Sequence, residues 1–208
     1  EELERLMPVL AALRPQTSAL LSVDTRKAEV ARRCLEAGAD WINDVSGLRF
    51  DPLMAATVAA YPRARLVIMH SLQGPEQERY STEWGAAAPR YGDVVADCLR
   101  WLRGQVRVAL EAGVLPDQIL LDPGFGFGKS YEHNLALLRR LAEFRAAGLP
   151  LLMGASRKSS VGRLVGDLPV DQRLEGSLVA AAWAVAGGAA VIRAHDVRET
   201  VRAVRAAQ

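Results

Sequence analysis

Two hydrophobic rhythms alternate along the chain. Short, mostly apolar runs occur at residues 19–23, 41–45, 65–69, 119–121, 151–153 and 190–192. Runs of this length, without polar alternation, predict strands buried on both faces. Between them apolar residues recur three and four apart. This spacing predicts helices over 2–13, 27–37, 51–60, 94–112, 132–146, 172–186 and 197–206. Pro8 lies within the first, which predicts a kink or a later start. Glycine follows a helix just before a strand at 38, 113, 148 and 187–188, where a left-handed cap closes the last turn.

Regular strand–helix alternation with short loops predicts an α/β chain with a parallel sheet, closed or open. The polar residues favour closure. Five strands run directly into Asp24, Asn43-Asp44, His70, Asp122, and Arg193 with His195; the other reaches Ser156-Arg157-Lys158. An open doubly wound sheet concentrates its site at one switch point. A (β/α)8 barrel brings every strand end to one mouth. The expectation is therefore a (β/α)8 TIM barrel, one domain over residues 1–208, with this chain covering about six of the eight βα units. Two upstream strands are expected to be missing.

Composition narrows the function classes. The chain has 208 residues, half of them hydrophobic, which suffices for one core. No apolar run reaches the ~20 residues of a membrane span and no signal-peptide pattern occurs, so no membrane partner and a cytoplasmic location are expected. The net charge of +2 comes from scattered basic residues, which excludes a nucleic-acid footprint. Cys34 and Cys98 lie on helical patterns and read as core thiols in a reducing compartment. Only Lys27, Lys129 and Lys158 are lysines among 26 basic residues. Two of them sit in the two most polar loops, where ammonium and guanidinium are not interchangeable.

The first of these loops is Asp122-Pro123-Gly124-Phe125-Gly126-Phe127-Gly128-Lys129. It fits neither a Walker A loop nor GxGxxG by spacing. Its glycines allow backbone to approach a planar ligand, with Phe125 or Phe127 covering it; the plainer reading is a tight βα turn. The second loop, Ser156-Arg157-Lys158-Ser159-Ser160, puts two cations at a helix start, against the helix dipole. A bound anion or carbonyl there would account for them; a solvated basic turn is the alternative. Asp24 is either an N-cap or a ligand contact. Asn43 offers donor and acceptor to a heterocycle edge, and Arg193 and His195 suit a ring face or a phosphate. His70 is a lesser candidate and His133 a helix-surface residue. No cluster has metal-ligand spacing.

At these positions the chain resembles the dihydropteroate synthase family, pterin-binding (β/α)8 barrels of folate synthesis. The matching segments are Ser22-Val23-Asp24-Thr25, Ile42-Asn43-Asp44-Val45, Met69-His70, the Leu121-to-Lys129 run, Ser156-Arg157-Lys158-Ser159, and Ile192 to Val197, in family order. The resemblance implies a transferase that joins 4-aminobenzoate to (7,8-dihydropterin-6-yl)methyl diphosphate, with Mg2+, as a homodimer. It implies that Asp24, Asn43, Met69, Asp122, Lys158 and Arg193 bind the pterin, with Asp24 and Lys158 closest to catalysis. Phe127, Ser156 and Arg157 would face the aminobenzoate, and Arg193 with His195 the diphosphate. The family's two N-terminal loops, one carrying the magnesium-binding Asn, do not occur here. The chain would then hold the pterin floor without its lid, and no metal ligand. A pterin-dependent methyltransferase and a non-catalytic pterin-binding paralogue stay open as alternatives.

Overall fold

The computed structural model describes residues 1–72 and 90–208. Six strands alternate with helices: β1 (Ser22–Asp24), β2 (Trp41–Asp44), β3 (Arg65–Met69), β4 (Ile119–Asp122), β5 (Leu152–Met153) and β6 (Val191–Ile192). The helices are α1 (Glu2–Leu13), α2 (Ala28–Glu36), α3 (Met54–Ala59), α4 (Val94–Glu111), α5 (Tyr131–Arg139), α6 (Ser159–Leu164), α7 (Leu174–Ala186) and α8 (Val197–Ala206). The chain divides into two compact units, Glu1–His70 with Leu102–Leu121, and Ser71–Trp101 with Asp122–Gln208.

In the first unit β1 to β4 lie side by side in chain order. β1, β2 and β3 pair in parallel, with Asp24 beside Asn43 and Asp44 beside Ile68. Ile42, Leu66, Val67, Ile68, Ile119 and Leu121 are fully buried, as strands covered on both faces require. In the second unit β5 pairs in parallel with β6. Cys34 and Cys98 are free and buried, and burial pushes both thiols above their ordinary range.

Helix α1 begins at Glu2 and runs through Pro8 without ending there. Where element edges differ from the sequence pattern, side chains have taken the backbone groups. β1 starts at Ser22 because the Leu21 N–H donates to the Asp40 carboxylate (2.8 Å). α3 starts at Met54 because Asp51 accepts from the N–H groups of Leu53 (3.0 Å) and Ala28 (2.8 Å). The long helix expected over 132–146 breaks at Arg140 and continues as a 3₁₀ helix, Leu141–Ala147. Three residues per turn put Leu141 and Phe144 on one side, and both are buried there. Gly38, Gly113, Gly148 and Gly188 all take positive φ after their helices, as their positions foretold.

Gln118 pins the approach to β4. It is 2% exposed. Its amide donates to the carbonyls of Tyr61 (3.0 Å) and Ala64 (2.8 Å), and its oxygen accepts from the Leu115 N–H (2.9 Å). Gln118→Ala leaves buried backbone groups without it and is expected to cost about 1–3 kcal/mol. Thermal unfolding checks this; an unchanged melting temperature would contradict it.

Candidate functional site

In the first unit the candidate residues stand at the C-terminal ends of parallel strands. Asp24 is exposed at the end of β1. It does not cap α2, whose first N–H, that of Ala28, donates to Asp51. Instead Asp24 accepts from Nδ2 of its strand neighbour Asn43 (2.8 Å). The bond fixes the Asn43 amide so that Oδ1 is the atom left over. Oδ1 is buried with no hydrogen-bond partner among the described residues, an acceptor waiting for a donor. The adjacent Asp44 does different work. It is fully buried, and accepts from the Ser46 N–H (2.8 Å), the Ser46 hydroxyl (2.6 Å) and the Leu48 N–H (2.8 Å). Burial raises its carboxyl above the usual range, with those bonds opposing. Asp44 thus shapes the turn after β2. Met69 and His70 are buried at the end of β3.

In the second unit the glycine loop after Asp122 is held from two sides. Asp122 is 8% exposed and accepts from the Gly124 N–H (2.7 Å). Burial raises its carboxyl, while the charges of Lys158, Lys129 and Arg193 and the Gly124 bond pull the other way. Lys158 donates its ammonium to the Phe125 carbonyl and lies 4.5 Å from the Phe127 ring centre, a cation–π contact. Gly126 has φ +84°, and a Cβ there would meet the Lys158 Cδ at 2.8 Å. Glycine at this position is therefore required both by the backbone and by the lysine stem. Burial pushes the Lys158 ammonium down to about 8, and Asp122 opposes that fall.

The loop before α6 joins the loop before α8. The Ser156 hydroxyl accepts from the His195 N–H (3.1 Å) and lies 3.1 Å from its Nδ1. Gly154, Ser156, Lys158, Arg193, Ala194 and His195 line a cavity of about 150 Å³. The two cations of the basic loop are answered by protein groups: Lys158 by a carbonyl, and Arg157 by Asp196, through Nε (2.9 Å) and Nη2 (2.5 Å). Arg157 has φ +57°, and its N–H donates to the Ser177 hydroxyl (2.9 Å).

Two buried residues brace the glycine loop: Lys129, already marked by its place in that loop, and Asn134, which did not stand out in the sequence. Lys129 is fully buried and donates to the carbonyls of Gly124 (2.9 Å) and Phe127 (3.0 Å). Asn134, also fully buried, accepts from the Gly126 N–H (2.7 Å) and donates to the Ser160 hydroxyl (3.0 Å). A signal for Asn134 existed: it lies three and four residues before Leu137 and Leu138, on the apolar face of α5. His133, by contrast, forms a reciprocal cap with Ser130 and packs edge-on against Tyr91.

The family profile described as pterin binding enzyme matches residues 1–195. The chain belongs to the pterin-binding enzyme family. It is 43% identical to a dihydropteroate synthase of Synechocystis sp. over 95% of this chain and 65% of that protein. Among solved structures, a dihydropteroate synthase of Thermus thermophilus in complex with 4-aminobenzoate is 46% identical, with TM-score 0.88, covering all of this chain and 76% of that one. The Xanthomonas albilineans enzyme in complex with 7,8-dihydropteroate is 42% identical, with TM-score 0.89, covering 99% and 74%. The chain thus spans roughly two thirds to three quarters of the length of these relatives. The fold class is the (β/α)8 barrel expected from the sequence, of which the described residues supply six βα units.

With three lysines in the chain, side-chain ¹⁵N NMR resolves each titration. Lys158 is expected to titrate near about 8. Removing the negative charge with Asp122→Asn should lower that value further, because the carboxylate favours the ammonium. A Lys158 titration near the ordinary ~10.4 would contradict its desolvation.

Proposed function

We propose that the whole protein is a dihydropteroate synthase. The amine of 4-aminobenzoate attacks the methylene of (7,8-dihydropterin-6-yl)methyl diphosphate. A C–N bond forms, the C–O bond to the diphosphate breaks, pyrophosphate leaves with the electron pair, and the amine gives up a proton. The observation that carries this reading is the pairing of a buried Asp122 with the displaced ammonium of Lys158 around one glycine loop. A carboxylate accepts from the amino-pyrimidine edge of a pterin, and an ammonium donates to its carbonyl side. The relatives' names and the ligands in their structures agree with it.

In this proposal residues 1–208 form one pterin-binding domain. Asn43 offers its unpartnered Oδ1 to the pterin and Met69 lines its slot. Asp24, exposed beside them, stabilises positive charge developing at the methylene. Arg193 lies on the pterin face and, with His195, takes the diphosphate in the cavity they line with Lys158. Phe127, Ser156 and Arg157 face the aminobenzoate. Magnesium accompanies the diphosphate in this reading. Among the described residues no three His, Cys, Asp or Glu side chains gather into a group that could hold a metal ion. In this proposal these residues hold the organic substrate and balance the anion. No helix among the described residues is long and apolar enough to cross a membrane. A cytoplasmic location is part of the proposal. A homodimer is proposed through α7, which leaves Val179 and Trp183 about half exposed.

The test is dihydropteroate formation and pyrophosphate release by the whole protein from both substrates with magnesium. Lys158→Ala is expected to lower kcat/KM by roughly ten- to a hundredfold, the loss of a charged hydrogen bond. Full activity of Lys158→Ala with a methyl donor instead would favour a methyltransferase. Pterin binding without pyrophosphate release would favour a binding paralogue. Light scattering checks the dimer.

A further inference from the structure

The glycine loop presents its carbonyls to two ammonium groups in turn. The Phe125 carbonyl accepts from Lys158, whereas those of Gly124 and Phe127 accept from the fully buried Lys129. Gly124 is held at both ends of its peptide unit: its N–H donates to Asp122, and its carbonyl accepts from Lys129 and from the Phe127 N–H (3.1 Å). Asn134 grips the remaining inward group, the Gly126 N–H, on the residue whose missing side chain makes room for the Lys158 stem.

We infer that Lys129, with Asn134, is a positioning residue for pterin: it fixes the loop so that Asp122 and Lys158 meet the ring at set places. This rests on the functional reading above. Lys129 touches no substrate in this account. It acts through two backbone carbonyls, those of Gly124 and Phe127, and through its charge. Cys98 and Asp122 are the titratable groups that favour its ammonium against burial. Its charge in turn, together with that of Arg193, holds the Lys158 ammonium down while Asp122 opposes.

The experiment measures Lys129→Met in the whole protein, alongside the wild type. Readouts are pterin affinity by calorimetry, KM for each substrate, and the Lys158 titration by ¹⁵N NMR. Phe144→Leu, a buried change outside the site, controls for lost stability. Lys129→Met is expected to bind pterin about tenfold or more weakly, to leave the aminobenzoate KM near its wild-type value, and to move the Lys158 titration upward. Equal pterin affinity and an unmoved Lys158 titration would overturn the inference, as would the same losses in Phe144→Leu. Should Lys129→Met fail to fold, Asn134→Ala decides between the same outcomes for pterin affinity and the two KM values. A wild type that neither binds pterin nor forms dihydropteroate would overturn the functional reading itself, and this inference with it.

Discussion

Charge removed from water is the constraint on which the second unit depends. Asp122, Lys129 and Lys158 are gathered around one glycine loop, and each loses hydration on folding. An uncompensated buried ion is costly, and proteins tolerate one only when hydrogen bonds replace the lost water. Here the replacements come from the main chain. The Gly124 N–H serves the carboxylate, and the carbonyls of Gly124, Phe125 and Phe127 serve the ammonium groups. A backbone that turns its carbonyls alternately inward and outward needs unusual dihedral angles. Glycines 124, 126 and 128 all take positive φ. The glycine content of the loop is thus a requirement of its electrostatics as much as of ligand approach.

The first unit meets its polar groups differently. Parallel strands place Asp24 beside Asn43, and their mutual bond consumes one end of the amide. The next residue, Asp44, turns inward to build the following turn. Alternation along β2 thus leaves one polar side chain with a buried oxygen lacking a hydrogen bond among the described residues and turns the next into the scaffold. A two-residue polar stretch in the sequence does not reveal which is which.

Much of the architecture was legible because its signals are local. The apolar run of β3 and the periodic patterns of α1 and α8 give those elements their full extents. The strand-end acids and the two loops stood out for the same reason. What stayed hidden depends on tertiary context. That Asp24 is not the cap of α2 emerges only once Asp51, from a later segment, is seen accepting from the first N–H of the helix. Lys129 gives no local sign of its interior location, since lysine is almost never fully buried. Its long stem folds back onto its own loop, which hydrophobic periodicity does not encode. The break at Arg140 follows from how Leu141 and Phe144 pack, and a helical pattern alone runs straight through it.

The sequestered thiols have a practical consequence. The whole chain contains two cysteines, both fully buried and both held toward the protonated state. Thiolate is the reactive species, so towards alkylating reagents these two residues give almost no signal in the folded state. A pair of cysteines introduced at solvent-facing positions takes up spin labels or fluorophores without Cys34 or Cys98 being replaced. Distances across the glycine loop, with ligand added or withheld, then become measurable in solution.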